Sequence, residues 1–143
     1  MTEIVKCSVT DYPTLAGIWE RSVRATHSFL SEKDITEIRE ALLPVYFPNV
    51  ELHAILADKI PVGFIGLNRD KIEMLFIDST CRGHGYGSAL IEFAKVKGAT
   101  SVDVNEQNAS ATAFYLHKGF YITGRDETDD CGRPFPILHM SLK

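Results

Sequence analysis

Long apolar runs are missing from this sequence. No stretch approaches the roughly 20 residues a membrane span requires, and the opening MTEIVKCSVTDYP has no apolar core of signal-peptide length. Cysteine is scarce: Cys7, Cys81 and Cys131 cannot all pair within one chain and lack C-x-x-C spacing, which excludes a disulfide scaffold and fits a reducing cytoplasm. The histidines, His27, His53, His84, His117 and His139, show no H-x-x-x-H spacing and no cysteine pair lies near them, so no metal site is expected. A G-x-S-x-G nucleophile elbow is absent. Basic clusters are absent too: Lys and Arg number 15 against 19 Asp and Glu, a net charge of −4, which argues against nucleic acid or an anionic membrane as a partner. There is no internal repeat, low-complexity tract or linker-like stretch.

What remains is the composition of an ordinary folded domain. Of 143 residues, 45% are hydrophobic and 24% charged, enough to bury a core without a metal or disulfide staple, so one domain over 1–143 is expected. Apolar spacing predicts a strand over Ile4–Val9, then a helix capped by Thr10 or Asp11 with Leu15, Ile18, Trp19 and Val23 on one stripe. A second helix starts at Ser31 with Asp34 closing a capping box, and Pro44 should end or bend it. Leu52–Ala57 and Val62–Leu67 read as strands joined by a tight Asp58-Lys59 turn, and Ile72–Ile77 follows. A glycine-rich loop then leads into a helix that stops at Gly98. Ser101–Asn105 is a strand, Ser110–Lys118 a helix, and Phe120–Arg125 and Ile137–Leu142 are final strands. The order β-α-α-β-β-β-α-β-α-β-β predicts an α/β fold with a mixed sheet of about seven strands, parallel only at the middle β-α-β.

The most informative segment is Leu75-Phe76-Ile77-Asp78-Ser79-Thr80-Cys81-Arg82-Gly83-His84-Gly85-Tyr86-Gly87-Ser88. A buried strand runs into alternating glycines and a helix begins at once. Free N–H groups of that helix start, with its dipole, favour an anion such as pyrophosphate, and glycine lets the ligand approach the main chain. A Walker A loop is excluded because no Lys follows these glycines. A Rossmann loop is weakened because Ser88 stands where the third Gly or Ala belongs and only one β-α-β unit is present, although Asp103 falls near the position of a ribose-binding acid.

Arg82-Gly83-His84-Gly85-Tyr86-Gly87 resembles the pyrophosphate loop (Q/R)-x-x-G-x-(G/A) of the GNAT acetyltransferases, with Ser79 where that family usually has proline. The downstream run Asn108-Ala109-Ser110-Ala111-Thr112-Ala113-Phe114-Tyr115-Leu116-His117-Lys118-Gly119-Phe120 is similar to the second signature of the family. Further stretches, among them Arg21–Ser31, Val104–Asn108, Thr123–Arg125 and Asp130–Pro136, look like the bacterial YjaB-type subgroup, described as acetylating peptidyl lysine. The resemblance implies a GNAT fold with four helices and acetyl-CoA as co-substrate. It implies that main-chain groups of Leu75, Phe76 and Ile77 pair with the pantetheine arm, that Arg82, Gly83, His84, Gly85, Tyr86, Gly87 and Ser88 hold the pyrophosphate, and that Asn108 binds beside them. Domains of this family often pair, so a homodimer is compatible with it.

The chemistry of acetyl transfer sorts the remaining residues. Tyr115 matches the family's tyrosine near the thioester sulfur, and a phenol of ordinary pKa about 10 can protonate a leaving thiolate of about 8.5. An acceptor lysine must lose a proton, and Glu73 and Asp103 are the candidate bases; each reads equally as an exposed polar residue on an alternating strand, and bulk water is a third route. His27 and Phe29 lie between the first two helices, where the family places its acceptor. The acidic run Asp126, Glu127, Asp129, Asp130 reads as solvated surface or as an attraction for a cationic amine. The leading expectation is an N-acetyltransferase acting on a primary amine, a lysine side chain or a small amine. The alternatives are an acyl-CoA sensor without turnover and a nucleotide-dependent enzyme.

Overall fold

Residues 2–129 and 131–142 are described by the computed structural model, and Asp130 of the acidic run lies outside them. Strand β1 (Thr2–Lys6) is followed by α1 (Tyr12–Thr26) and α2 (Glu32–Ala41). Next come the meander β2 (Glu51–Ala57), β3 (Ile60–Asn68) and β4 (Lys71–Ile77), then α3 (Tyr86–Val96), β5 (Ser101–Asn105), α4 (Ala109–His117), β6 (Phe120–Asp126) and β7 (Ile137–Leu142). The order of elements is the one expected. β1, however, starts and ends earlier than the Ile4–Val9 expected, because Ser8 starts a 3-10 turn at Val9–Asp11: its backbone N–H donates to the Asp11 carboxylate at 2.8 Å. Local capping outweighs the β-branched character of Val9.

The capping box at the start of α2 is present, Ser31 Oγ accepting from the Asp34 N–H at 3.1 Å and the Asp34 carboxylate accepting from the Ser31 N–H at 3.1 Å. Pro44 has the expected effect: α2 ends at Ala41 and the chain passes through a wide π-type turn, Leu42–Tyr46, instead of continuing as α-helix. Asp58 and Lys59 both take positive φ, 49° and 68°, the pairing a two-residue hairpin turn demands.

The seven strands form one sheet in the order β1-β2-β3-β4-β5-β7-β6, antiparallel throughout except where β4 meets β5. One face is covered by α1 and α2, whose Leu15, Ile18, Trp19, Val23 and Ile35 pack with Phe47 on Leu52, Ala54 and Phe64. The other is covered by α3 and α4, where Leu90, Ile91, Ala94 and Tyr115 pack on Ile55, Ile65, Ile72, Val102, Val104 and Met140. Each large apolar side chain buried in these layers contributes about 1.5–3 kcal/mol. Among the described residues no helix is long and apolar enough to cross a membrane.

Candidate active site

The parallel junction between β4 and β5 is short. Only Lys71↔Ser101 and Ile72↔Val102 are in register, and beyond them the strands part. The Asp78 N–H donates to the Val62 carbonyl at 2.8 Å, which turns Asp78, and by ladder alternation Phe76 and Met74, toward β3. The main-chain groups of Leu75 and Ile77 therefore face the opening. Phe76 departs from the expectation here: its backbone is committed to β3, and what it offers the site is its ring.

A cleft of about 410 Å³ occupies the opening. Of the residues expected at the site, all but His84 and Phe29 line it. The His84 ring instead stacks on Tyr86 with centroids 5.7 Å apart, and Phe29 sits behind the cleft, its ring 5.3 Å from His27 and 5.6 Å from Phe135. One end of the cleft is the glycine loop. Gly83 and Gly85 both have φ of +81°, a left-handed conformation in which any Cβ is strained, and Gly85 is the N-cap of α3. With no side chain at the cap, the first N–H groups of α3 are left for a ligand, so this donor set fits a pyrophosphate. The loop is anchored from behind: Arg21 of α1 donates Nε and Nη2 to the buried Asp78 carboxylate at 2.8–3.1 Å, and this holds its pKa below the ordinary carboxylate value.

At the other end stands Tyr115, 6% exposed, its ring held nearly perpendicular to Phe114 and Phe120 at 5.3 and 5.5 Å. Burial pushes the phenol well above its ordinary pKa, so it stays protonated at neutral pH.

The two carboxylates have different settings. Asp103 Oδ2 accepts from Lys71 Nζ and its Oδ1 from His139 Nδ1, each at 2.7 Å, while His139 Nε2 donates to Asp126 at 2.8 Å. Burial alone would raise Asp103, but the bonds from Lys71 and His139 outweigh it and hold the carboxyl low; the same two carboxylates raise the pKa of His139. Glu73 lies 3.5 Å from Lys71 Nζ and is otherwise free of ion pairs among the described residues. The β3–β4 register passes from Gly66↔Met74 to Leu67↔Ile72, so Glu73 is the extra residue of a β-bulge. That kink puts the consecutive side chains of Glu73 and Met74 on one wall.

The same wall belongs to a second cleft of about 400 Å³ on the α1–α2 face. Glu73, Met74 and Phe76 line both; Trp19, Tyr46, Asp129 and Arg133 complete the second. Arg133 pins the β6–β7 loop over it, reaching Glu37 at 3.3 Å and Asp129 at 3.4 Å. In the first cleft His27 is half-buried, and desolvation lowers its pKa from 6.5 to about 4, leaving it neutral. Its Nε2 lies 3.4 Å from Asn108 Nδ2, a contact spanning the cleft. The roles of Lys71, His139 and Arg21 were not drawn from the sequence. For Lys71 and His139 the signal was the alternation of polar residues in β4, β5 and β7, which shares a face only once the register is known; for Arg21, in α1, there was none.

The chain matches the family described as "Acetyltransferase (GNAT) domain" over residues 20–142. It is 42% identical over 128 residues to the peptidyl-lysine N-acetyltransferase YjaB of Salmonella typhimurium, covering 88% of each chain. The solution structure of apo-form YjaB from Escherichia coli superposes with a TM-score of 0.91 at 37% identity, covering 99% of this chain and 97% of that one. A PaiA N-acetyltransferase from Thermoplasma acidophilum, solved in complex with coenzyme A, shares the fold with a TM-score of 0.74 at 23% identity, covering 99% of both chains. A parted β4–β5 pair, a glycine-capped helix and a buried tyrosine across the cleft thus sit in a chain that belongs to the GNAT family of acetyltransferases.

Proposed function

We propose that this N-acetyltransferase carries the acetyl group of acetyl-CoA to the side-chain amine of a protein lysine, by direct attack in a ternary complex. The observation that carries the reading is the wall shared by the two clefts: Glu73, Met74 and Phe76 separate a cleft with an anion-binding loop from one with apolar sides and carboxylates. A donor entering by the first and an amine entering by the second meet at the β4 bulge. Trp19, Tyr46, Met74 and Phe76 suit the aliphatic stem of a lysine, and Glu73 suits its ammonium. The YjaB relative, named as a peptidyl-lysine acetyltransferase, supports the same acceptor.

In this reading the α3 N-terminus with Arg82–Ser88 holds the pyrophosphate, and the main chain of Leu75 and Ile77 pairs with the pantetheine amides. Asn108 donates its side-chain N–H to the same arm. As the amine nitrogen bonds to the acetyl carbon, the carbon–sulfur bond breaks, and sulfur takes the Tyr115 proton. The ammonium gives up its first proton to Glu73, directly or through water, before it attacks, and Glu73 passes that proton to bulk solvent; the second proton leaves the nitrogen as the amide forms and returns through solvent to Tyr115. Glu73 is preferred to Asp103 because Lys71 and His139 already hold the Asp103 charge. The free thiols Cys7, Cys81 and Cys131 suit the cytoplasm. A homodimer that pairs through strands would use the edge strands β1 or β6, and one that pairs through helices leaves both edges free.

The test is transfer itself: purified protein, acetyl-CoA and a lysine-containing peptide, read by peptide mass and by released thiol. Acetylated lysine with matching thiol release is the expected result, cut about 100-fold or more by Glu73→Gln at neutral pH. Turnover of small amines with no peptide product would overturn the lysine acceptor, and an unimpaired Glu73→Gln would remove Glu73 as the base.

A further inference from the structure

The hydrogen bonds around His27 fix the position of every proton in them. Thr26 Oγ1 lies 2.8 Å from the Ser22 carbonyl, which can only accept, so the threonine proton is used there. The same oxygen is 2.7 Å from His27 Nδ1 and must accept from it, so the imidazole hydrogen is on Nδ1 and Nε2 is bare. At the far end, Asn108 Oδ1 accepts from the Ala111 N–H at 3.1 Å, which turns the amide so that Nδ2 faces His27. The contact from Nδ2 to Nε2 is long, 3.4 Å, at the weak end of hydrogen-bond range.

We propose that the bare Nε2 of His27 is the group that receives an N–H of the acceptor amine and holds its nitrogen toward the acetyl carbon. His27 is placed for this. It lines the first cleft, and its ring packs 6.5 Å from that of Phe76, a residue of the wall the two clefts share. The contact is a hydrogen bond only, and the proton stays on nitrogen until Glu73 or water takes it. Desolvation supports the geometry: with its pKa lowered to about 4 the ring remains an acceptor at neutral pH. Asn108 Nδ2 supplies the donor that faces this lone pair. That contact is long, so an amine N–H competes for the lone pair. The inference rests on the reading of the second cleft as the amine's path.

The test pairs His27→Phe, which keeps a ring against Phe29 and Phe76 but has no lone pair, with His27→Gln, whose amide oxygen reaches toward the Nε2 position. Melting curves establish that both fold. Calorimetry gives acetyl-CoA affinity and the affinity of a lysine-containing peptide for the CoA-bound protein; steady-state rates are taken with the peptide and with n-butylamine. The expected result is a fall of about tenfold in amine affinity and in kcat/KM for the amine with His27→Phe, the loss of one neutral hydrogen bond. His27→Gln recovers most of it, and acetyl-CoA affinity stays within about twofold. Unchanged amine affinity in His27→Phe, or an equal loss of acetyl-CoA affinity, would overturn it. Butylamine turnover that drops in His27→Phe, without any peptide turnover, sinks the lysine acceptor and leaves the His27 role standing. Peptide turnover indifferent to His27→Phe does the reverse, and no turnover or binding of either amine sinks both.

Discussion

Tyr115 and His27 face each other's chemistry from opposite states: burial keeps the proton on one and off the other. Tyr115→Phe preserves the edge-on packing with Phe114 and Phe120 and removes only the hydroxyl with its proton. It should lower kcat about 100-fold or more while the dissociation constant of acetyl-CoA stays the same, as read by single-turnover rates beside calorimetry. His27 leaves a signature on stability. Unfolded, it takes a proton near pH 6.5; folded, only near pH 4, so between these values the unfolded chain binds more protons and stability falls as pH drops. At about 1.4 kcal/mol per pKa unit, the loss across that window is about 3 kcal/mol. His53, whose pKa burial also lowers, works in the same direction. His139 is raised, so its contribution is intact below pH 6.5 and is lost only as pH rises through its folded value. Urea unfolding at pH 6.5 and 4.5 should show a shallower pH slope for His27→Gln than for the parent; equal slopes would mean that His27 titrates normally.

The elements that could be read from the sequence are those whose cause is local. The capping box Ser31–Asp34, the Asp58-Lys59 turn and the glycines at both ends of α3 act within a few residues, and each stands where its spacing put it. The cofactor loop was legible for the same reason. Glu73 as a bulge residue, the Lys71–Asp103–His139–Asp126 ladder and the Phe76 backbone were not, because each depends on how strands far apart in sequence are set in register. The choice of Glu73 as the proposed base turns on that: two strand carboxylates look alike until one is found between Lys71 and His139. Gly85 gives the prediction at this scale. Gly85→Ala puts a Cβ on a left-handed cap, costing about 1–2 kcal/mol, although nothing lies within 4 Å of it. It should lower the unfolding free energy by that amount and weaken acetyl-CoA binding with little change in kcat. A fall in kcat alone would assign the loop to chemistry instead of binding.

For the molecule as a whole, the co-substrate is expected to act as a structural member. At one hundred times its dissociation constant, acetyl-CoA should stabilise the native state by about 2.7 kcal/mol. For a chain of this length that raises the melting temperature by about 5–10 °C, with ATP and NAD as silent controls. The reason lies in the junction of β4 and β5, where two registered pairs join a four-strand half-sheet to a three-strand one. Isotope exchange of single amides should make that junction visible. Met74 and Phe76, bonded into β3, should exchange slowly at all times, whereas Leu75 and Ile77, one residue away in either direction, should exchange fast in the free protein and slowly once coenzyme A is bound. An alternation of fast and slow along a single strand, erased by a small molecule, would mean that the ligand serves as the missing strand of the sheet.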